Sequence, residues 1–455
     1  MIDDVAAALG MPAGLVKYLF ALLSILPLSL GQRLLFGADP VVRQVYSIVA
    51  GLTLCFYAYG ASGLKYLMVT PLMGYVCLIV VPRDAAHGVV ALLGFLFLIA
   101  CHVANASGSA WSEGNIDFTG SQMVITLKVV AIAFNYKDGD VDEAKLSKPQ
   151  KERRLAELPS VLMFLAYVLD PVTVLIGPFI EVVEFSAYML RQGVWEKDVK
   201  QPSFVGTALA SLVYAIVFAG VHVVLSGYFP ISVLGSEEFW SFTVPYKLFV
   251  CYMVALSARL KYYFCWTLAH TGLKCGGLAF TGTDKPVGQQ WERGLNMRPL
   301  RVEFATSSVE YPLHWNICTG NWLRHYVYDR VTPEGKKPGL RSLVVTQTVS
   351  GVWHGLYAGY WLFFVSTALM LHGSRYFYKM IGAAPKSVRP ALTVFHGLLS
   401  ALQLNYLAPS FMVLNFKETV DIWRSVGFIG HVTMAALLIM SVLVKPPRAK
   451  TTKTS

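Results

Sequence analysis

Apolar runs of roughly twenty residues recur along the whole chain, separated by shorter polar or charged stretches. A helix needs about 20 mainly apolar residues to cross ~30 Å of hydrocarbon. That ruler picks out runs near 14–36, 43–61, 63–81, 87–105, 121–135, 160–188, 204–227, 241–272, 341–371, 388–409 and 425–444. Several contain Gly or Pro, and 121–135 is too short to cross comfortably. The pattern predicts an all-α polytopic membrane protein of about eleven transmembrane helices, with one or two of the runs re-entrant. The first run follows Asp3 and Asp4 rather than a basic leader, and no small-residue cleavage site ends it, so it reads as a retained helix. No repeat of 20–50 residues is visible, which weighs against transporters built from inverted repeats. The chain is read as a single membrane-embedded domain over 1–455.

The polar interruptions sharpen this picture. Residues 136–157 carry six basic and six acidic side chains, which predicts a solvated loop with a short helix. Residues 273–340 are too polar to span and too aromatic to be disordered. The tail 445–455 has four basic and no acidic residues, and the positive-inside rule places it in the cytosol. The sequon Asn105-Ala106-Ser107 abuts an apolar helix, where glycosylation is sterically difficult. Composition agrees with a membrane chain, being 55% hydrophobic and only 14% charged, whereas soluble chains carry about 25% charged residues. The net charge of +11 belongs with topology and anionic headgroups. It does not point to nucleic acid, because no basic stripe is interleaved with stacking aromatics. The seven cysteines contain no C-x-x-C pair and mostly lie in apolar runs, so they read as buried thiols rather than a disulfide framework or zinc site.

Ionisable groups inside apolar runs are functional candidates by default. His354 is the sharpest, within Ser350-Gly351-Val352-Trp353-His354-Gly355-Leu356-Tyr357-Ala358-Gly359-Tyr360. Gly351 and Gly355, spaced G-x-x-x-G, would let a neighbouring helix approach closely. An imidazole at depth is suited to taking a proton from a hydroxyl; the competing reading is a helix-packing histidine. Asn316, in Tyr311-Pro312-Leu313-His314-Trp315-Asn316-Ile317, offers a donor and an acceptor without charge. Its competing reading is a helix cap. No histidine is followed by Asp in an H-x-x-x-x-D arrangement, and H-E-x-x-H, G-x-S-x-G and P-loop motifs are absent. Gly276, Gly277 and Gly282 lack the strand–helix context of a phosphate cradle and read as a turn.

The pairing of Asn in W-N-I with His in V-W-H-G-x-x-x-G-Y resembles the membrane-bound O-acyltransferase family, and within it the plant-type lysophosphatidylcholine acyltransferases. Matching segments include 107–120 (SGSAWSEGNIDFTG), 123–139, 176–185 (IGPFIEVVEF), 258–266 (ARLKYYFCW), 277–282, 321–330 (NWLRHYVYDR) and 346–361 (TQTVSGVWHGLYAGYW). Ala358 stands where the family often has Pro. The resemblance implies transfer of an acyl group from acyl-CoA to the sn-2 hydroxyl of lysophosphatidylcholine and other lysophospholipids, with His354 as general base and Asn316 as its polar partner. The helices would enclose a buried reaction chamber that excludes water. Acyl-CoA is a co-substrate, so no cofactor and no metal are required. Arg259, Lys261 and Arg324 are candidates for the phosphates of CoA. Trp315, Trp353, Tyr357, Tyr262 and Tyr263 are candidates for enclosing a choline headgroup by cation–π contact, and Glu181 for pairing with it.

Two other readings stay open at this stage. One is a different acyltransferase branch acting on sterols, diacylglycerol or proteins; its F-Y-x-D-W-W-N-type motif is replaced here by SSVEYPLHWNI. The other is a transporter in which His354 relays protons. The resemblance implies an endoplasmic reticulum membrane with the Asn316 stretch open to the cytosol, where acyl-CoA is held. Three apolar runs separate that stretch from the cytosolic tail, an odd number. The expectation is therefore that 341–371, 388–409 or 425–444 fails to make one full crossing, or that 273–340 itself re-enters.

Overall fold

The computed structural model of the chain describes residues 2–105, 117–332 and 339–444. Most of the segment 107–120, part of the sequon at 105–107 and the basic tail 445–455 lie outside the described residues. Among the described residues the structure is helical, with one isolated antiparallel bridge, Met297 to Trp315. The principal helices are α1 (Ala13–Leu34), α2 (Pro40–Val80), α3 (Arg83–Asn105), α4 (Thr119–Asp138), α5 (Val161–Val168), α6 (Val182–Leu190), α7 (Val205–Tyr228) and α8 (Val244–Gly276). They continue with α9 (Ile317–Leu323), α10 (Leu340–His354), α11 (Ala358–Ala383), α12 (Arg389–Val413), α13 (Phe416–Ser425) and α14 (Ile429–Leu443). Among the described residues six helical segments are long and apolar enough to cross a membrane: α1, α2, α3, the stretch Val205–Val233, α8 and α12. The pair α13 and α14, bent by 80°, makes a seventh if it is one span. The protein is a multi-pass membrane protein.

Six or seven spans stand where eleven runs were expected, and each difference has a local cause. The runs 43–61 and 63–81 are two legs of α2, whose 41 residues are interrupted at Gly60, at φ 69° and ψ −174°. At 1.5 Å per residue that stretch is roughly 60 Å long, about twice the hydrocarbon thickness. Pro40 at the first helical position and Asp39, whose carboxylate accepts the Val41 N–H at 2.8 Å, start it. The run 121–135 becomes α4, which is buried nearly all round. The run 160–188 splits: α5 ends at Val168, an irregular segment follows, and α6 begins at Val182. Lys128 of α4 fixes that break, its ammonium donating to the carbonyls of Tyr167 (2.8 Å) and Val168 (3.2 Å) and to Thr173 Oγ1 (2.7 Å). Thr173 Oγ1 and Gln32 Nε2 donate in turn to Asp170, at 2.9 and 2.7 Å, so the buried charges are satisfied. The run 341–371 breaks into α10 and α11. The run 425–444 is represented by α14.

The chain forms two compact units, Met1–Ala219 with Tyr262–Asn296, and Gly220–Lys261 with Met297–Ser455. In the first, α4 packs against α2 and α3. The polar stretch 136–157 carries the expected short helix, Lys148–Arg153, opened by a capping box between Ser147 and Gln150. In the second unit, α11 packs against α10, α12 and α14, over a core that includes Tyr311, Met370, Tyr406, Leu407 and Trp423. Cys55, Cys101, Cys251, Cys265 and Cys275 are buried, as expected of thiols that serve as small hydrophobes.

Candidate active site

His354 is the last residue of α10. Gly355 follows at φ 128° and ψ 177°, a conformation that only glycine adopts readily, and its N–H closes the helix onto the carbonyls of Gly351 and Val352. Three residues later α11 starts, with Ala358 at its first position. Gly355 is thus a helix terminator, where the G-x-x-x-G spacing had suggested a packing glycine. The close approach is made instead by Gly359. Its N–H donates to the Leu414 carbonyl at 2.9 Å, and a Cβ there would lie 2.0 Å from the Ser410 carbonyl oxygen. This contact holds the start of α11 against the end of α12.

The break leaves the half-buried His354 imidazole surrounded by rings. Phe364 stacks on it at 5.1 Å between centroids and 23° between planes, and Phe411 of α12 meets it edge-on at 5.1 Å. Trp353 lies at 4.8 Å and Tyr360 at 5.5 Å. Tyr357 reaches the set through Tyr360, at 6.0 Å. The imidazole thus stands at the C-terminal end of a helix, where positive charge is favoured, with rings on several sides.

Asn316 enters the same unit from the 297–323 stretch. The N–H of Arg298 donates to the His314 carbonyl (2.9 Å) and that of Trp315 to the Tyr311 carbonyl (2.8 Å), which together with the Met297–Trp315 bridge fold this stretch back on itself. Asn316 then adopts the left-handed conformation, φ 47° and ψ 50°, at the N-cap of α9. Among residues with a Cβ, Asn tolerates that region best. Its carbonyl accepts the Gly320 N–H (2.8 Å), while its side chain makes no capping bond. Asn316 thus holds the N-cap position that the competing reading gave it, but caps through its backbone and not through its side chain. Trp315 packs against the core around Tyr311, Met370 and Tyr406, and so does Phe363. The Phe363 ring is also 5.3 Å from both Phe364 and Phe411. The Asn316 segment and the rings around His354 are therefore parts of one aromatic core.

The other candidates divide between the units. Arg259 is buried, and its guanidinium donates bidentately to Glu303 (Nε–Oε1 2.7 Å, Nη2–Oε2 2.8 Å) and through Nη1 to Asn405 Oδ1 (2.8 Å). It ties down the helix Pro299–Glu303 just ahead of the Asn316 segment. Lys261 is exposed, and Arg324, also exposed, lies 3.9 Å from Asp329. Arg324 opens a five-residue π-helix, Arg324–Tyr328, a feature with no signal in the sequence pattern. Burial, with Arg298 next in weight, holds the His314 imidazole below its ordinary range. Tyr262, Tyr263 and Glu181 belong to the first unit. Tyr262 is 5.4 Å from Trp266, Tyr263 is fully buried 5.5 Å from Phe218, and Glu181 accepts from Arg153 Nε at 2.9 Å. Phe364 and Phe411 are the residues that the sequence reading missed. Phe411 is far from His354 along the chain, and nothing local marks it.

A family model described as "MBOAT, membrane-bound O-acyltransferase family" matches residues 103–439. The chain belongs to the membrane-bound O-acyltransferase family. Both His354 and Asn316 fall inside the matched span. The chain is 36% identical to "Lysophospholipid acyltransferase 2" of Arabidopsis thaliana, over 99% of this chain and 98% of that protein. It is 34% identical to "Lysophospholipid acyltransferase 1" of the same plant, over 99% of each. "Lysophospholipid acyltransferase" of Schizosaccharomyces pombe is 30% identical over 97% of this chain and 88% of its own length. As a member of the membrane-bound O-acyltransferases, the protein is an acyltransferase, and the transporter reading falls away.

Proposed function

We propose that this membrane-bound O-acyltransferase acylates lysophospholipids, using acyl-CoA as donor and the free sn-2 hydroxyl of lysophosphatidylcholine and related lysolipids as acceptor. One observation carries the reading: full-length similarity to proteins named lysophospholipid acyltransferases, in a chain where His354, at a helix break, is ringed by aromatic side chains. The His354 imidazole takes the hydroxyl proton as the oxygen attacks the thioester carbonyl. The tetrahedral oxyanion collapses, the C–S bond breaks, and the thiolate of CoA leaves with the proton returned by the imidazolium. General base catalysis of this kind contributes about 10²–10⁴-fold. Asn316 orients the hydroxyl or donates to the oxyanion. A water-poor chamber within the helices keeps hydrolysis from competing. No metal or covalent carrier is needed, because a thioester is already activated.

We further propose that the reaction takes place in the endoplasmic reticulum membrane, with the Asn316 stretch open to the cytosol. After that stretch, among the described residues, α12 is long and apolar enough to cross, and taking the bent pair α13–α14 as one span makes the number even. The break of 341–371 at Gly355 supports this count, since α10 with 15 residues is roughly 22 Å long and too short to cross alone. An even count supports the reading in which the Asn316 stretch and the basic tail share a side. The direct test is a matrix of several acyl-CoAs against several lysophospholipids with purified protein. Diacyl product with release of free CoA is expected. Turnover only with sterol, diacylglycerol or a peptide acceptor would replace this reading with another branch of the family.

A further inference from the structure

Three arginines in the first unit have no acidic partner. Arg33 is in the last turn of α1, Arg43 in the first turn of α2, and Arg191 at the C-cap of α6. Among the described residues no carboxylate ion-pairs with any of them. Asp39 spends its side chain on the Val41 N–H, and Glu184 on Arg293. Aromatic rings take the place of acids. Arg43 lies over Phe36 and Tyr188, at 4.8 Å from each centroid, and Arg191 lies over the same Phe36 ring at 5.3 Å. Arg33 lies over Phe204 at 4.6 Å. Arg43 is only 3% exposed; its Nη1 donates to the Met189 carbonyl at 2.8 Å, while its Nη2 is buried with no hydrogen-bond partner. The Nε of Arg191 is buried and unpartnered as well.

Two guanidiniums on one ring, each with an unmatched buried N–H and no counter-charge, form an arrangement that is costly unless an anion completes it. The guanidinium fork matches phosphate geometry, and stacking on an aromatic face holds it in place. The three residues also sit at the ends of helices, two of them spans, which is the depth at which phosphates lie beside a bilayer. We infer that Arg43 and Arg191, with Phe36 between the side chains of α2 and α6, form a binding site for the phosphate of an amphiphilic ligand. The site is built wholly within the first unit, and where its phosphate is that of CoA it rests on the reaction proposed above. Its test therefore reads binding and not turnover.

The experiment uses the full chain in phosphatidylcholine nanodiscs with two probes. One is CoA in solution, followed by equilibrium binding; the other is phosphatidic acid in the bilayer, followed by retention in native mass spectrometry. Arg43→Gln removes the buried charge, and Arg191→Asn removes the capping charge while keeping a residue that tolerates φ 56°. Binding of one probe should weaken at least about tenfold in each variant and stay unchanged in Lys200→Gln, an exposed control. The probe affected identifies the source of the phosphate. If Arg43→Gln fails to fold, Arg191→Asn decides the matter together with Arg43→Lys, which keeps the charge but loses the stacked fork and is expected to weaken the same probe. Equal binding of both probes to wild type and variants, or no binding of either probe to wild type, overturns the site.

Discussion

At the scale of single residues, the proposed chemistry rests on one imidazole and one amide in quite different settings. The His354 imidazole lies among the rings of Trp353, Tyr360, Phe364 and Phe411 at the end of α10. Removing the imidazole should therefore leave the fold intact while abolishing acyl transfer. His354→Ala is expected to lose about 10²-fold or more in turnover, measured beside circular dichroism and size-exclusion profiles that match wild type. A well-folded variant retaining more than about a tenth of the activity would end its assignment as general base. Asn316 carries two demands at once, since its amide is to act in the site and its backbone is left-handed. Asn316→Ala should cost about 2.7–4 kcal/mol in kcat if the amide donates to the oxyanion. A rise in lysolipid KM at unchanged kcat would instead show a binding role.

At the scale of elements, the helix break after His354 and the clamp ahead of Asn316 do the positioning. Ala358 occupies the first position of α11, where a proline's missing N–H and fixed φ are no handicap. Ala358→Pro should therefore be tolerated, with full activity and a gain of about 0.4–1 kcal/mol in stability; a loss of activity would mean that the turn 355–357 differs from the one described. The clamp gives the opposite expectation. Arg259 and Glu303 are mostly buried and bidentate, and breaking such a pair by removing one partner costs about 3–5 kcal/mol. Arg259→Gln and Glu303→Gln should each lower thermal stability to a similar degree, and the double variant should be less destabilised than the sum of the two. Additive losses would show that the two side chains act independently.

For the whole molecule, sidedness is the property that joins fold to function. Acyl-CoA does not cross a bilayer unaided, so the Asn316 stretch and the basic tail should share the cytosolic face. Single cysteines at Lys285, Lys336 and Lys450, labelled from outside in sealed microsomes, should all react with an impermeant reagent; the last two positions lie outside the described residues. Protection of Lys336 until the membrane is permeabilised would contradict cytosolic entry of CoA beside the site.

Much of this molecule is legible along the chain, because the bilayer imposes a length rule that any sequence reading can apply. Run length and composition declare a multi-pass helical protein, and an imidazole in an otherwise apolar run declares itself by the free energy of placing it there. The solvated loop 136–157 with its short helix follows equally from charge alternation. The number and integrity of the spans do not follow, since apolar content cannot tell a crossing helix from one buried inside the protein. Helix α4 is buried on all sides by its neighbours, and the 160–188 run is cut because Lys128, far away in sequence, bonds to the last carbonyls of α5. The same holds at the site. Gly355 was visible as a glycine, but whether it packs a helix or ends one depends on a φ of 128° that the surrounding contacts select. Phe411, the Arg259–Glu303 clamp and the acid-free arginines around Phe36 arise only when distant segments meet, because ring contacts and ion pairs are properties of proximity in space.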